Sequence, residues 1–156
     1  VDALANRHFF VWNPVKMEIT GAAKKVAKVP IHPDKKEFRS LTVENAVFVC
    51  QEDVARLKVG ERLRLKELYN VEITSMEPLN ASFVGEEAVK GMQIIHWVPA
   101  EEKIEVRVIT PDGEISGFGE KGIEKEVEHT VQFERFGFVR IDSVEDGKVI
   151  AYFAHE

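Results

Sequence analysis

One cysteine is all this chain has, and Cys50 alone excludes both an internal disulfide and a thiolate metal cluster. Its flanks, Val47-Phe48-Val49, read as strand, where a lone thiol behaves as a small buried apolar residue. This usage fits a reducing compartment, and a cytoplasmic location is expected. Apolar runs are short. None approaches the ~20 residues a helix needs to cross a bilayer, so no membrane partner is expected. No serine stands in the G-x-S-x-G setting of an activated nucleophile, and Cys50 has no recognisable base partner. His8, His32, His96, His129 and His155 include no i, i+4 pair, and none lies beside a carboxylate cluster of metal type. No catalytic residue and no metal ligand are therefore expected. The opening Val1-Asp2-Ala3-Leu4 has neither an initiator Met nor a signal pattern, and reads as the cut edge of a longer polypeptide.

What is present is a globular composition, 44% hydrophobic and 31% charged. The net charge of -6 argues against a nucleic-acid partner until its distribution is considered. Residues 1–72 hold 13 Lys/Arg against 10 Asp/Glu, whereas residues 73–156 hold 8 against 17. A local basic surface in the first half is compatible with overall acidity.

Short runs rich in Val, Ile, Phe and Tyr alternate with Gly, Pro, Asn and Asp turns. The pattern predicts strands over His8–Trp12, Val15–Ile19, Ala46–Cys50, Arg62–Lys66, Tyr69–Met76, Met92–Val98, Ile104–Ile109 and Glu114–Phe118. Thr130–Glu134, Phe138–Asp142 and Val149–Phe153 follow, with tight hairpins at Pro111-Asp112-Gly113 and Asp146-Gly147. Helix is confined to short turns at Gln51–Leu57 and Glu120–Glu128, and Lys24–Arg39 reads as a long ordered connector. Many short strands without crossover helices predict an all-β antiparallel sandwich or barrel.

Two local motifs carry bland readings. Gly117-Phe118-Gly119-Glu120-Lys121-Gly122 has the G-x-G-x-x-G spacing, but its surroundings look antiparallel, so a glycine-rich loop between strands is expected. Arg135-Phe136-Gly137-Phe138-Val139-Arg140-Ile141 has the aromatic spacing of RNA-recognition strands but lacks the opening glycine and the following helix. A hairpin with Phe136 and Phe138 turned into a core is expected. On a strand, Arg62, Arg64 and Lys66 share one face while Leu63 and Leu65 face the core. That ridge suits phosphates or base acceptors, although a solvated strand face has the same pattern.

Several phrases together resemble one family. They are Asn6-Arg7-His8-Phe9-Phe10-Val11, Asn13-Pro14-Val15-Lys16, Val29-Pro30-Ile31-His32-Pro33, Val59-Gly60-Glu61-Arg62-Leu63-Arg64-Leu65, Ile95-His96-Trp97-Val98 and Val131-Gln132-Phe133-Glu134-Arg135-Phe136-Gly137-Phe138. In this order they look like the C-terminal anticodon-binding region of glutaminyl-tRNA and archaeal-type glutamyl-tRNA synthetases. The resemblance implies two six-stranded antiparallel β-barrels of a ribosomal-protein type, one from about 7–28 plus 100–156 and the other from about 29–99. It implies a tRNA partner, bound at the anticodon loop, with Arg7, Gln132 and Arg135 on the central uridine and Arg56 on the third base. Arg64 and Lys66 fall on the first base, where Lys66 stands in place of an arginine and loses its bidentate fork. The parent would be a glutamate–tRNA ligase whose ATP and Mg belong to catalytic domains of the same polypeptide, leaving no cofactor here. A glutaminyl-type region, a non-catalytic RNA-binding barrel and a protein-interaction barrel are the alternatives.

Overall fold

The computed structural model describes residues 5–156, so the Val1–Leu4 segment lies outside the described residues. The described chain is all-β, with helix limited to single turns. It begins with β1 (Arg7–His8), β2 (Phe10–Trp12), β3 (Pro14–Thr20), β4 (Lys25–Pro30), β5 (Phe38–Val43), β6 (Ala46–Cys50) and the four-residue helix α1 (Gln51–Val54). Next come β7 (Arg62–Leu65), β8 (Tyr69–Met76), β9 (Leu79–Gly85), β10 (Gln93–Ile95) and β11 (Val98–Pro99). Last are β12 (Lys103–Thr110), β13 (Gly113–Glu120), a 3-10 turn (Ile123–Glu126), β14 (Thr130–Phe133), β15 (Gly137–Glu145) and β16 (Lys148–His155).

Two seven-stranded sheets organise these elements. The first runs β1-β14-β15-β16-β12-β13-β2, the second β10-β7-β8-β9-β3-β6-β11, and β4 with β5 forms a separate hairpin. The sheets are mixed rather than antiparallel as expected. β1–β14 and β12–β16 pair in parallel in the first sheet, β10–β7 and β3–β9 in the second. Turn residues announce only antiparallel neighbours; parallel partners lie far apart in sequence and leave no local sign. The expected six strands become seven because one run of chain supplies both edges of each sheet. Only Phe9 separates β1 from β2, and only His96-Trp97 separates β10 from β11.

Sheet membership changes at Asn13, where φ is +47°. Phe10–Trp12 lies in the first sheet and Pro14–Thr20 in the second, whereas the expected early segment of the first barrel extended to about residue 28. The expected Lys24–Arg39 connector instead holds β4 and the start of β5. Its lysines hid the alternation, since Ala27 and Val29 face the core while Val26 and Lys28 face out. At Asp146-Gly147 both residues have positive φ, as a tight two-residue hairpin requires.

The run Phe9-Phe10-Val11 has no polar face because it has no solvent face. Phe9 and Val11 enter the core of the second sheet and hairpin, and Phe10 enters that of the first. Trp97 is fully buried, with its ring centroid 5.5 Å from that of Phe9. The G-x-G pair lies inside β13, not in a loop. A Cβ on Gly117 would stand 2.0 Å from the Val11 carbonyl oxygen, and one on Gly119 2.5 Å from Ile123 Cδ1. These glycines permit close packing and leave the first motif no phosphate role. Phe136 packs edge-on against Phe10, while Phe138 stacks on His155 near the surface rather than entering the core.

Candidate nucleic-acid interface

β1 brings the two ends of the chain together. Its parallel pairing with β14 sets Arg7 opposite Gln132 and His8 opposite Phe133. The Gln132 N–H donates to the Asn6 carbonyl at 2.9 Å, and the Glu134 N–H to the His8 carbonyl at 3.1 Å. On the hairpin side, the Arg7 N–H donates to the Ile31 carbonyl at 2.7 Å. Strand alternation then turns His8 and Phe133 inward and leaves Arg7 and Gln132 half-buried side by side. Arg7, Pro33, Lys66 and Glu134 share a cavity of about 170 Å³. The Arg7 Nε is buried without a hydrogen-bond partner among the described residues.

Glu134 is the acid among these cations. One carboxylate oxygen faces Lys66 Nζ at 2.5 Å and the other faces Arg39 Nη2 at 3.4 Å. Arg39 reaches Glu120 with its Nε at 2.6 Å and lies over the Phe9 ring, 4.8 Å from its centroid. Behind Arg7, His8 Nδ1 faces Glu120 at 2.6 Å and Nε2 faces Glu126 at 2.8 Å. Two carboxylate acceptors require both ring nitrogens to donate, so the imidazole is charged. Burial acts to lower the His8 pKa, but the hydrogen bonds to Glu120 and Glu126 outweigh it and the pKa is raised. Glu126 is held down to about 2, chiefly by the His8 hydrogen bond. This buried cluster locks β1, and hence Arg7, against the 3-10 turn.

Arg135 occupies the turn between β14 and β15 with φ +66°. Its guanidinium forms a two-pronged contact with the buried Asp53 of α1, Nη1 to Oδ2 at 2.9 Å and Nη2 to Oδ1 at 2.8 Å. Nη1 also donates to His96 Nδ1 at 3.1 Å, between β10 and β11. His96 Nε2 lies 2.7 Å from the Phe10 carbonyl, which can only accept, so the proton sits on Nε2 and leaves Nδ1 free to accept. Burial lowers the His96 pKa and favours this neutral form. Cys50, Asp53 and His96 lie close enough to resemble a metal triad. Here Asp53 and both His96 nitrogens are already engaged by Arg135 and the Phe10 carbonyl, so the set offers no ready group of free ligand atoms.

The basic ridge partly holds. Leu63 and Leu65 are fully buried, while Arg62 is exposed and Arg64 and Lys66 are half-buried. Arg62 pairs with Glu72, and Arg64 Nη1 donates to Asn70 Oδ1 at 3.0 Å and to the Glu86 carbonyl at 2.9 Å. Arg56 is exposed, beyond α1, and its side chain has no hydrogen bond or ion pair among the described residues. The fold thus sets Arg7 beside Gln132 in register and shares one cavity between Arg7 and Lys66, while Arg135 on the turn after β14 is held at Asp53 and His96 and Arg64 is directed toward the loop at Glu86. Glu134, Arg39, Asp53 and His96 were not read as site residues. Asp53 and Arg135 are 82 residues apart, and no spacing rule connects them.

Two family models described as "tRNA synthetases class I (E and Q), anti-codon binding domain" match residues 5–89 and 94–142. The whole chain is 52% identical to part of the glutamate–tRNA ligase of Methanosarcina barkeri and 53% identical to part of that of Methanosarcina mazei. It is 44% identical to part of the corresponding ligase of Pyrococcus horikoshii. The chain spans 28% of the length of the two Methanosarcina ligases and 29% of the Pyrococcus one. This chain belongs to the anticodon-binding domain family of the class I glutamyl- and glutaminyl-tRNA synthetases.

Proposed function

We propose that this chain reads the anticodon loop of a glutamate tRNA on behalf of a glutamate–tRNA ligase. Arg7, Gln132 and Arg135 receive the central uridine, Lys66 and Arg64 the first base, and Arg56 the third. The observation that carries this reading is the register that sets the half-buried Arg7 against Gln132, with Arg7 and Lys66 lining one cavity. Unstacked loop bases expose the edges that arginine and glutamine read through paired hydrogen bonds. A uracil edge has two acceptors flanking a donor, and the Gln132 amide carries both complementary groups.

The names of the related ligases favour glutamate over glutamine as the amino acid. In this reading the ATP and Mg chemistry belongs to catalytic domains of the same polypeptide, working in the cytoplasm. Each sheet, with its broken edge run counted once, corresponds to one six-stranded barrel of the ribosomal-protein type. The barrels form two domains that meet at β1–β2.

The test is titration of the chain, at stated low salt, with glutamate-tRNA anticodon stem-loops carrying U or A at the central position. A preference for U of at least ~10-fold, lost in Arg7→Ala, is the expected result. Equal binding of both loops by the unaltered chain overturns base reading by this site.

A further inference from the structure

We propose that Asp53 and His96 are positioning residues for Arg135, holding its guanidinium so that only the Nε–Nη2 edge is presented to RNA. The proposal rests on the reading of Arg135 as an RNA-contacting residue and adds how that residue is aimed.

A guanidinium carries five N–H groups in one plane. Asp53 takes one from Nη1 and one from Nη2, and His96 Nδ1 takes the second from Nη1. The Nε–H and the outer Nη2–H remain, side by side, and neither has a partner among the described residues. Each holder is itself fixed. Asp53 is 1% exposed on a helical turn, and His96 is 2% exposed with its Nε2–H on the Phe10 carbonyl. Phe9 and Trp12 flank the His96 ring at centroid distances of 6.1 and 5.6 Å. The Arg135 side chain is still 41% exposed. A long side chain on a surface turn is thus clamped at three donors from the protein side and left open on one edge. Without the clamp it would sample many rotamers, and ordering it on binding would cost affinity.

The two free donors lie too close together to span both carbonyls of one uracil ring. They suit the two lone pairs of a single oxygen, or two oxygens of one phosphate. The shared chemistry is an RNA oxygen acceptor, and replacing central U by C separates uracil O4 from the acceptors that both loops share. That change turns the O4 acceptor into an amino donor but leaves the phosphate untouched.

The test is a double-mutant cycle on stem-loop affinity, using Asp53→Asn and Arg135→Ala singly and together, with thermal midpoints measured alongside. Asn turns an amide donor toward one guanidinium nitrogen and breaks the two-pronged contact. Arg135→Ala should weaken binding by ~10-fold and Asp53→Asn by ~3–10-fold, whereas adding Asp53→Asn to Arg135→Ala should change affinity by less than ~2-fold. A loss confined to the U loop assigns the acceptor to uracil O4, and an equal loss with U and C loops assigns it to an oxygen both loops share, the pyrimidine O2 or a phosphate; both support positioning. His96→Phe keeps the ring packing but removes the acceptor. It is expected to repeat the Asp53→Asn pattern, and replaces it should Asp53→Asn fail to fold. A merely structural role lowers affinity equally in both backgrounds and overturns the proposal. Arg135→Ala weakening binding while Asp53→Asn and His96→Phe do not overturns positioning alone. Unchanged binding in Arg135→Ala overturns the reading of Arg135 and the proposal with it.

Discussion

Replacing Glu126 by Gln removes one carboxylate from the buried His8 cluster and leaves a side chain of the same size. The Glu126 side chain is 12% exposed and accepts from His8 Nε2 at 2.8 Å and Asn6 Nδ2 at 3.0 Å. The His8 hydrogen bond holds its pKa at about 2. Against an ordinary value near ~4.3, this corresponds to about 3 kcal/mol of stability. The contribution is complete above the unfolded value and is lost as pH falls from ~4.3 toward the folded one. His8 acts in the opposite direction. Burial opposes its charge, its two carboxylates raise its pKa, and its contribution is present below the unfolded value of ~6.5 and lost as pH rises through the folded one. The cluster is therefore most stabilising between about pH 4.3 and 6.5. Thermal unfolding followed by circular dichroism from pH 2 to 8 reads this out. At pH 5.5 Glu126→Gln should melt ~6–12 °C below the unaltered chain, and the gap should close as pH approaches 2. A gap of constant size across the acid range would refute the assignment of that stability to the Glu126 carboxylate.

Two further outcomes follow from the packing. Gly117→Ala sets a methyl against the Val11 backbone and should cost about 3 kcal/mol or more, whereas Gly119→Ala meets the movable Ile123 side chain and should cost about 1 kcal/mol; denaturant melts of both will rank them. Cys50, fully buried with its thiol pushed up to about 12, should react with a disulfide reagent at pH 8 on the order of a thousand times more slowly in the folded chain than in denaturant, as followed by thiolate release.

Much of the fold was legible because period and turn chemistry agreed. Leu63 and Leu65 against Arg62 and Arg64 alternate in the structure as they do in sequence, and the Asp146-Gly147 hairpin has the positive φ angles its residues suggest. β4 was missed because Lys24, Lys25 and Lys28 and the prolines at 30 and 33 mask the alternation of Ala27 and Val29 against Val26. β9 was missed because Asn80 and Ser82 interrupt its apolar run in sequence, although in the strand they occupy the face opposite Leu79 and Ala81. The candidate site was readable only through resemblance. Arg7 and Gln132 meet by a parallel register that no local pattern encodes, and Glu134 becomes the partner of Lys66 and Arg39 only after both sheets are in place.

The parallel pairing of β1 with β14 also sets an order of events. Made from its N-terminal end, the chain presents Arg7–Trp12 long before β13 and β14 exist to receive it. β3, β6, β7, β8 and β9 can pair meanwhile, since they draw only on residues 14–85. The first sheet must wait for the last strands, and closing so long a loop makes this a slow step. The pocket around Arg7 is accordingly among the last parts to form, so a chain halted partway would hold a nearly complete second sheet yet lack that pocket.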